Sequence, residues 1–306
     1  MMHEMMDSQL WKQRREEVMR EVERNHMVKA LHAARRRRAG RRSTLAWEIK
    51  RHAGRLLKFL RHIGMKGRYA RTEGDPMESV TATNNASSET NTKVTRALLA
   101  CGVVAGPLYV VLGLIQMLIR DGFDIRRHAL SLLSNGELGW IQISNFLLTG
   151  VLVIAGAAGM RRVLRGSRGG RWGPTLIGVY GLGLIGAGLF RADPALGFPP
   201  GLPADAYGTV SWHGMLHFVS GGIGFLALIA ACFVFARRFA AIKQRGWAIY
   251  SGVTGLLFFA AFFGIASGSK GAGVSVAFAV SVVLGWVWIS AMTARLISAS
   301  NRGGSS

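Results

Sequence analysis

Acidic side chains are nearly missing from the last two-thirds of this 306-residue sequence: residues 97–306 contain five Asp and Glu. Only about a tenth of that stretch is charged, against roughly 25% in a soluble domain, which excludes an ordinary soluble enzyme. Cysteine is equally scarce. Cys101 and Cys232 are too few for a disulfide-stapled scaffold or a Cys-based metal site. No short apolar core lies near the N-terminus, where a cleavable signal peptide would carry one. No Gly-rich phosphate loop, Ser-His-Asp order or dinucleotide fingerprint stands out. Gly181, Gly183, Gly186 and Gly188 lie inside an apolar run, spaced for helix packing.

What the sequence does have is long apolar runs. Six of them, roughly Ala97–Ile119, Ile141–Met160, Pro174–Phe190, Trp212–Ala236, Trp247–Ala266 and Val274–Leu296, approach or exceed the length that crosses a bilayer, and none contains an acidic residue. The expected fold is all-α: a polytopic membrane protein with six transmembrane helices in a bundle and a basic, partly helical N-terminal cytosolic extension. The pairs Gly102/Gly106 and Gly264/Gly268 read as helix contacts.

Positive charge sets the expected orientation. Even-numbered connections and the tail carry eleven Lys and Arg, whereas odd-numbered connections carry Arg120, Arg126, Arg127, Arg191 and Lys270. Both termini are therefore expected in the cytosol and three connections outside. The chain divides into a basic amphipathic extension (1–63), a polar linker (64–96), the six-helix domain (97–297) and a flexible tail (298–306). In the extension, Leu45, Ile49, Ala53, Leu56, Leu60 and Ile63 form one helical stripe opposite Lys50, Arg51, Arg55, Lys58 and Arg61. Such a helix suits contact with anionic lipid by residues 44–63. A solvated tail is the plainer alternative, and nucleic acid the less favoured one. Met77 is a candidate translation start.

Ionisable groups at membrane depth are functional candidates by default, and they gather on the expected outer side. His213 and His217, four apart, share one face of the fourth span, where a metal could bridge them. The alternative is one imidazole bonded to a backbone carbonyl and the other in headgroup water. In the first outer connection Asp124, His128, Ser131 and Asn135 step by 4, 3 and 4, the polar stripe of a short helix. Asp193 follows the third span, in a catalytic or a capping role. His128, His213 and His217 are candidate zinc ligands with Asp193 beside them, and Ser131 is a candidate oxyanion donor.

The stretches Arg-His-Ala-Leu-Ser-Leu-Leu-Ser (127–134), Gly-Trp-Ile-Gln-Ile-Ser-Asn-Phe (139–146), Phe-Arg-Ala-Asp-Pro (190–194) and His-Gly-Met-Leu-His (213–217) resemble the bacterial membrane family called domain of unknown function 998. The resemblance covers about residues 97–297. It implies a six-span fold in a bacterial cytoplasmic membrane and no established activity. A looser similarity is to intramembrane zinc hydrolases of the alkaline ceramidase and adiponectin-receptor type. This chain departs from them in its six spans, in carrying His-x-x-x-His on the fourth, and in placing His128 three residues before Ser131. The expected function is binding of a lipid, small molecule or partner. The alternative is a zinc-dependent hydrolase acting on a lipid or amide at the outer leaflet. Oligomeric state is open.

Overall fold

The computed structural model describes residues 76–203, 210–268 and 271–302, with side chains between 89 and 299. The extension over 1–63, the linker as far as Asp75 and the last four residues of the tail lie outside the described residues. The unit that follows Pro76 consists of α1 (Pro76–Ile119), α2 (Gly139–Val163), α3 (Trp172–Leu189), α4 (Trp212–Ala241), α5 (Arg245–Ala266) and α6 (Ala272–Arg302). Each of the six contains a stretch long and apolar enough to cross a membrane. The chain is a multi-pass membrane protein, all-helical among the described residues.

Five helices begin and end within a few residues of the expected spans. The exception is α1, which starts at Pro76, about twenty residues before Ala97. Proline suits a first helical position because its missing N–H would be unpaired there anyway. Between Met77 and Cys101 there is neither Gly nor Pro. The Asn, Ser and Thr that read as linker chemistry therefore meet no breaker, and the helix continues through them.

Consecutive helices pack on each other from α2 to α6, and α6 returns to α2. Glycine sets the tightest contacts. A Cβ on Gly156 would lie 2.8 Å from Gly102 Cα, and one on Gly106 would lie 2.8 Å from Trp286 O, so α1 fits between α2 and α6. A Cβ on Gly181 would lie 2.8 Å from Gly150 O, and one on Gly183 would lie 2.7 Å from Gly224 Cα. The glycines of α3 thus serve both flanks, against α2 and against α4.

The pair Gly264/Gly268 behaves differently. Gly264 meets only the Val274 side chain at 3.4 Å, and Gly268 lies beyond α5 with φ +78°. Its role is to end the helix, since that conformation suits a residue without Cβ.

The core lies where α6 meets the rest. Trp286 stacks on Tyr109 of α1 at 4.6 Å, and the buried Trp288 donates through Nε1 to Ser251 Oγ of α5 at 3.0 Å. Large apolar residues such as Leu118 (86% exposed) and Leu182 cover the periphery, as lipid-facing surfaces require.

The chain reverses at every connection, so the ends sort into two sets. Arg162 reaches Asn91, Arg238 reaches Ser167, and Arg295 reaches Gln244. That end holds the arginine-rich connections. At the other end the 120–138 and 190–203 connections bond to each other.

Candidate functional site

The 120–138 connection is not the amphipathic α-helix that its spacing suggested. It consists of turns, with Gly122 at φ +75° and Gly136 at φ +73°, around a five-residue 3-10 helix, Leu130–Ser134. The positive φ angles bend the backbone where a helix would continue. Leu132 and Leu133 bury against Ala192 and Phe198 from the 190–203 connection. This small second core makes the two connections into one lid.

Two side chains fasten it. His128, 3% exposed, packs against the rings of Phe123 and Phe198. Its Nδ1 accepts from the Asp124 backbone N–H at 2.9 Å, so the proton sits on Nε2, which donates to Leu196 O at 3.0 Å. Arg120, just past α1, donates to Leu133 O at 3.1 Å and Asn135 O at 2.5 Å, and its guanidinium lies over Phe198. Partial burial pulls its pKa below the ordinary arginine value. Asp124 accepts from the Arg126 backbone N–H at 2.9 Å, and this bond with the Arg126 guanidinium holds its carboxyl below the usual range.

Beneath the lid is a chamber of about 180 Å³ to which all six helices contribute. Its walls are mostly apolar, with Tyr109, Phe146, Tyr180, Phe225 and Phe278 among them. His128 and Ser131 face it from the lid and His217 from α4. Gly221 also lines it, and a Cβ there would meet nothing within 4 Å. Phe218 both lines the chamber and is 62% exposed, so it forms a wall toward lipid.

His217 follows from the way α3 ends. The last carbonyls of a helix lack intrahelical partners, and Nδ1 of His217 lies 2.9 Å from Ala187 O and 2.8 Å from Phe190 O. Both are acceptors, so Nδ1 carries the proton and donates to them. Nε2 is left with its lone pair as the polar atom that this residue offers the chamber.

The remaining candidates are placed elsewhere. His213 is exposed and lies tilted against the ring of Trp212, with centroids 3.6 Å apart. The two histidines therefore part company, His217 resting on backbone carbonyls and His213 lying at the surface. Asp193 caps α4: Oδ2 accepts the Ser211 backbone N–H at 2.8 Å, and Oδ1 accepts the Ser211 hydroxyl at 2.5 Å. Ser211 Oγ in turn accepts from Gly214 N–H at 3.0 Å. A Cβ on Gly214 would fall 2.0 Å from Asp193 Oδ2, so the carboxylate lies directly against the first turn, where a negative charge is favoured.

The structure thus brings His128, Ser131 and His217 to one chamber and keeps His213 and Asp193 out of it. Both nitrogens of His128 and both carboxylate oxygens of Asp193 are committed to structural bonds. Among the described residues no group of three or more His, Cys, Asp or Glu is arranged to hold a metal ion.

Sequence reasoning aimed at ionisable groups passed over a buried amide cluster. Gln116 Nε2 donates to Gln142 Oε1 at 2.8 Å, and Asn145 Nδ2 donates to the same oxygen at 3.4 Å and to Tyr109 O at 3.2 Å. All three amides are fully buried, tying α1 to α2 near the lid. The signal was present as uncharged polar residues, three apart, inside an apolar run. The pocket-lining tyrosines Tyr109 and Tyr180 were also missed, because an aromatic residue in a span reads as core.

Neither a curated protein nor a solved structure matched the chain. Residues 103–295, most of the six-helix bundle, match the family described as Protein of unknown function (DUF998). The motifs of the lid and of the first turns of α4 fall inside that match, and the chain belongs to this family.

Proposed function

We propose that the chain is a binding protein of the membrane, and that its chamber holds a small apolar molecule or the end of an acyl chain. The observation that carries this reading is the partly open, mostly apolar chamber with one imidazole nitrogen left without a structural bond. Its size decides among ligands. An apolar cavity of about 150 Å³ takes benzene, and drug-sized sites are roughly 300–1,000 Å³. At about 180 Å³ the chamber suits a small aromatic molecule or a chain terminus and is too small for a whole phospholipid. A hydroxyl or carboxylic acid on the ligand would donate to His217 Nε2. The hydrolase reading has less support, because both nitrogens of His128 and each oxygen of Asp193 already hold a structural bond.

A fatty acid carrying a diazirine near its methyl end tests the proposal by photolabelling the full chain in nanodiscs. Labelled peptides from α4 and α6 are expected. Gly221→Phe fills the chamber from a position with open space, and is expected to cut labelling about tenfold without lowering the melting temperature. Equal labelling of that variant, or labelling confined to the outer surfaces of the helices, would overturn it.

We also propose that the arginine-rich end is cytosolic, supported by the asymmetry of basic residues. A cysteine at Leu202, exposed on the lid connection, is expected to react with an impermeant maleimide in intact cells. Reaction only after permeabilisation reverses the orientation.

A further inference from the structure

Among the residues whose side chains are described, the arginine-rich end has almost no acid to balance it. The carboxylate there is Glu89 of α1, and it pairs with Lys93 at 2.7 Å. The cations nevertheless differ in what they do. Arg161 donates to Arg171 O at 3.4 Å and Thr175 Oγ1 at 3.3 Å. Arg238 donates to Ser167 Oγ at 2.8 Å and Arg168 O at 2.6 Å, tying the 164–171 connection to α4. Arg295 lies over the rings of Phe239 and Trp247. These three hold protein to protein.

Arg162 and Arg165 are arranged differently. They are exposed, Arg162 in the last turn of α2 and Arg165 just beyond it, and form one wall of a cleft whose other wall is Asn91, Thr92 and Thr95 of α1. The cleft measures about 500 Å³, and Val163 lines its apolar part. Arg162 touches Asn91 Oδ1 only at 3.5 Å, the outer limit of a hydrogen bond. Thr95 directs its hydroxyl proton to Asn91 O at 2.8 Å. Among the described residues, the cleft's charged donors are therefore the two guanidiniums, and no carboxylate lines it.

Two guanidinium forks facing one space suit an oxyanion with several oxygens, since each fork can give two parallel hydrogen bonds. The location favours a lipid as the source. The cleft sits between the ends of two helices long and apolar enough to cross a membrane, where headgroups would meet such spans. The cleft also includes Val163, which a free ion would have no use for. We propose that this cleft binds the phosphate of an anionic phospholipid through Arg162 and Arg165, so that one lipid bridges α1 and α2.

The test uses the full chain, released from nanodiscs of phosphatidylcholine with one-fifth phosphatidylglycerol and examined by native mass spectrometry in parallel with thermal melting. Wild type is expected to retain one phosphatidylglycerol and to melt higher than in phosphatidylcholine alone. Arg162→Gln/Arg165→Gln is expected to bind it on the order of 100-fold more weakly, the loss of two charge-assisted contacts. Arg168→Gln/Arg237→Gln removes the same charge outside the cleft and is expected to lose roughly tenfold or less in physiological salt, where exposed charges are screened.

Equal loss in the two double variants would reduce the effect to diffuse attraction and overturn the site. A wild type that retains no phosphatidylglycerol overturns it without recourse to any variant, leaving the arginines to complement the carbonyl end of α2. If inorganic phosphate in phosphatidylcholine nanodiscs reproduces the melting shift, the cleft is a free-phosphate site and the lipid assignment falls.

Discussion

The two ends of the bundle use polar residues in opposite ways. At the lid end His128, Arg120 and Asp193 are satisfied by backbone atoms and hydroxyls of neighbouring segments. At the other end Arg162 and Arg165 are exposed, beside a cleft that no carboxylate lines among the described residues. A buried polar group costs free energy unless it is bonded, whereas an exposed cation is stabilised by water or by lipid phosphate. The lid end therefore seals its polar groups among protein atoms, and the arginine-rich end leaves two cations exposed. Substitutions should separate the two ends sharply, with large stability effects at the lid and binding effects without stability loss at the arginines.

The largest effect is expected from His128→Phe. The larger ring keeps the aromatic contacts but leaves the Asp124 N–H and Leu196 O unpaired beneath the lid, at about 1–3 kcal/mol each. A fall of several degrees in melting temperature in nanodiscs would show it. A melting temperature equal to wild type would mean that the lid is not held by this imidazole.

Asp193→Ala comes next. It removes the acceptor for Ser211 and the negative charge at the start of α4, together about 1–2 kcal/mol. Asp193→Asn should recover part of the loss, since an amide oxygen still accepts one bond. Recovery by Asn separates capping from any role that needs the carboxylate itself.

A smaller effect concerns acid. The carboxyl of Asp124 is held below its ordinary range by the N–H and guanidinium of Arg126. A group whose pKa is lower in the folded chain stabilises above its unfolded pKa, and that contribution disappears as pH falls through the folded value. A slight loss of stability is expected below about pH 4, and Asp124→Asn should flatten it. An unchanged acid limb in that variant would assign the loss to other carboxylates.

The smallest effect is expected from Arg165→Ala in phosphatidylcholine alone, where melting should change by less than about 0.5 kcal/mol, as at an exposed site without structural partners. A larger loss would place this arginine among the structural ones and erase the contrast between the two ends.

The spans were legible in the sequence because a bilayer imposes length and apolarity on every helix that crosses it. The start of α1 was not, since Asn, Ser and Thr favour turns only when something stops the helix, and nothing between Met77 and Cys101 does. The polar stripe Asp124, His128, Ser131 and Asn135 failed for the opposite reason. Its periodicity was helical, but Gly122 and Gly136 adopt positive φ and the segment folds back on itself. His128 and Ser131 still reach the chamber, carried there by a 3-10 turn rather than by an α-helix. His213 and His217 show what spacing leaves undetermined. Four residues place two side chains on one face, but the carbonyls that end α3 draw only the second inward.

Gly183 and Gly224 were described as the place where α3 and α4 touch, and both also line the chamber. One seam therefore sets both how closely two helices pack and how much room lies beside them. A side chain added at either position would part the helices and intrude on the space together. A guest too large for the chamber would have to open the seam where backbone meets backbone, giving up contacts along its length. The seam works as a gauge: the protein can accept a wider occupant only by loosening its own framework.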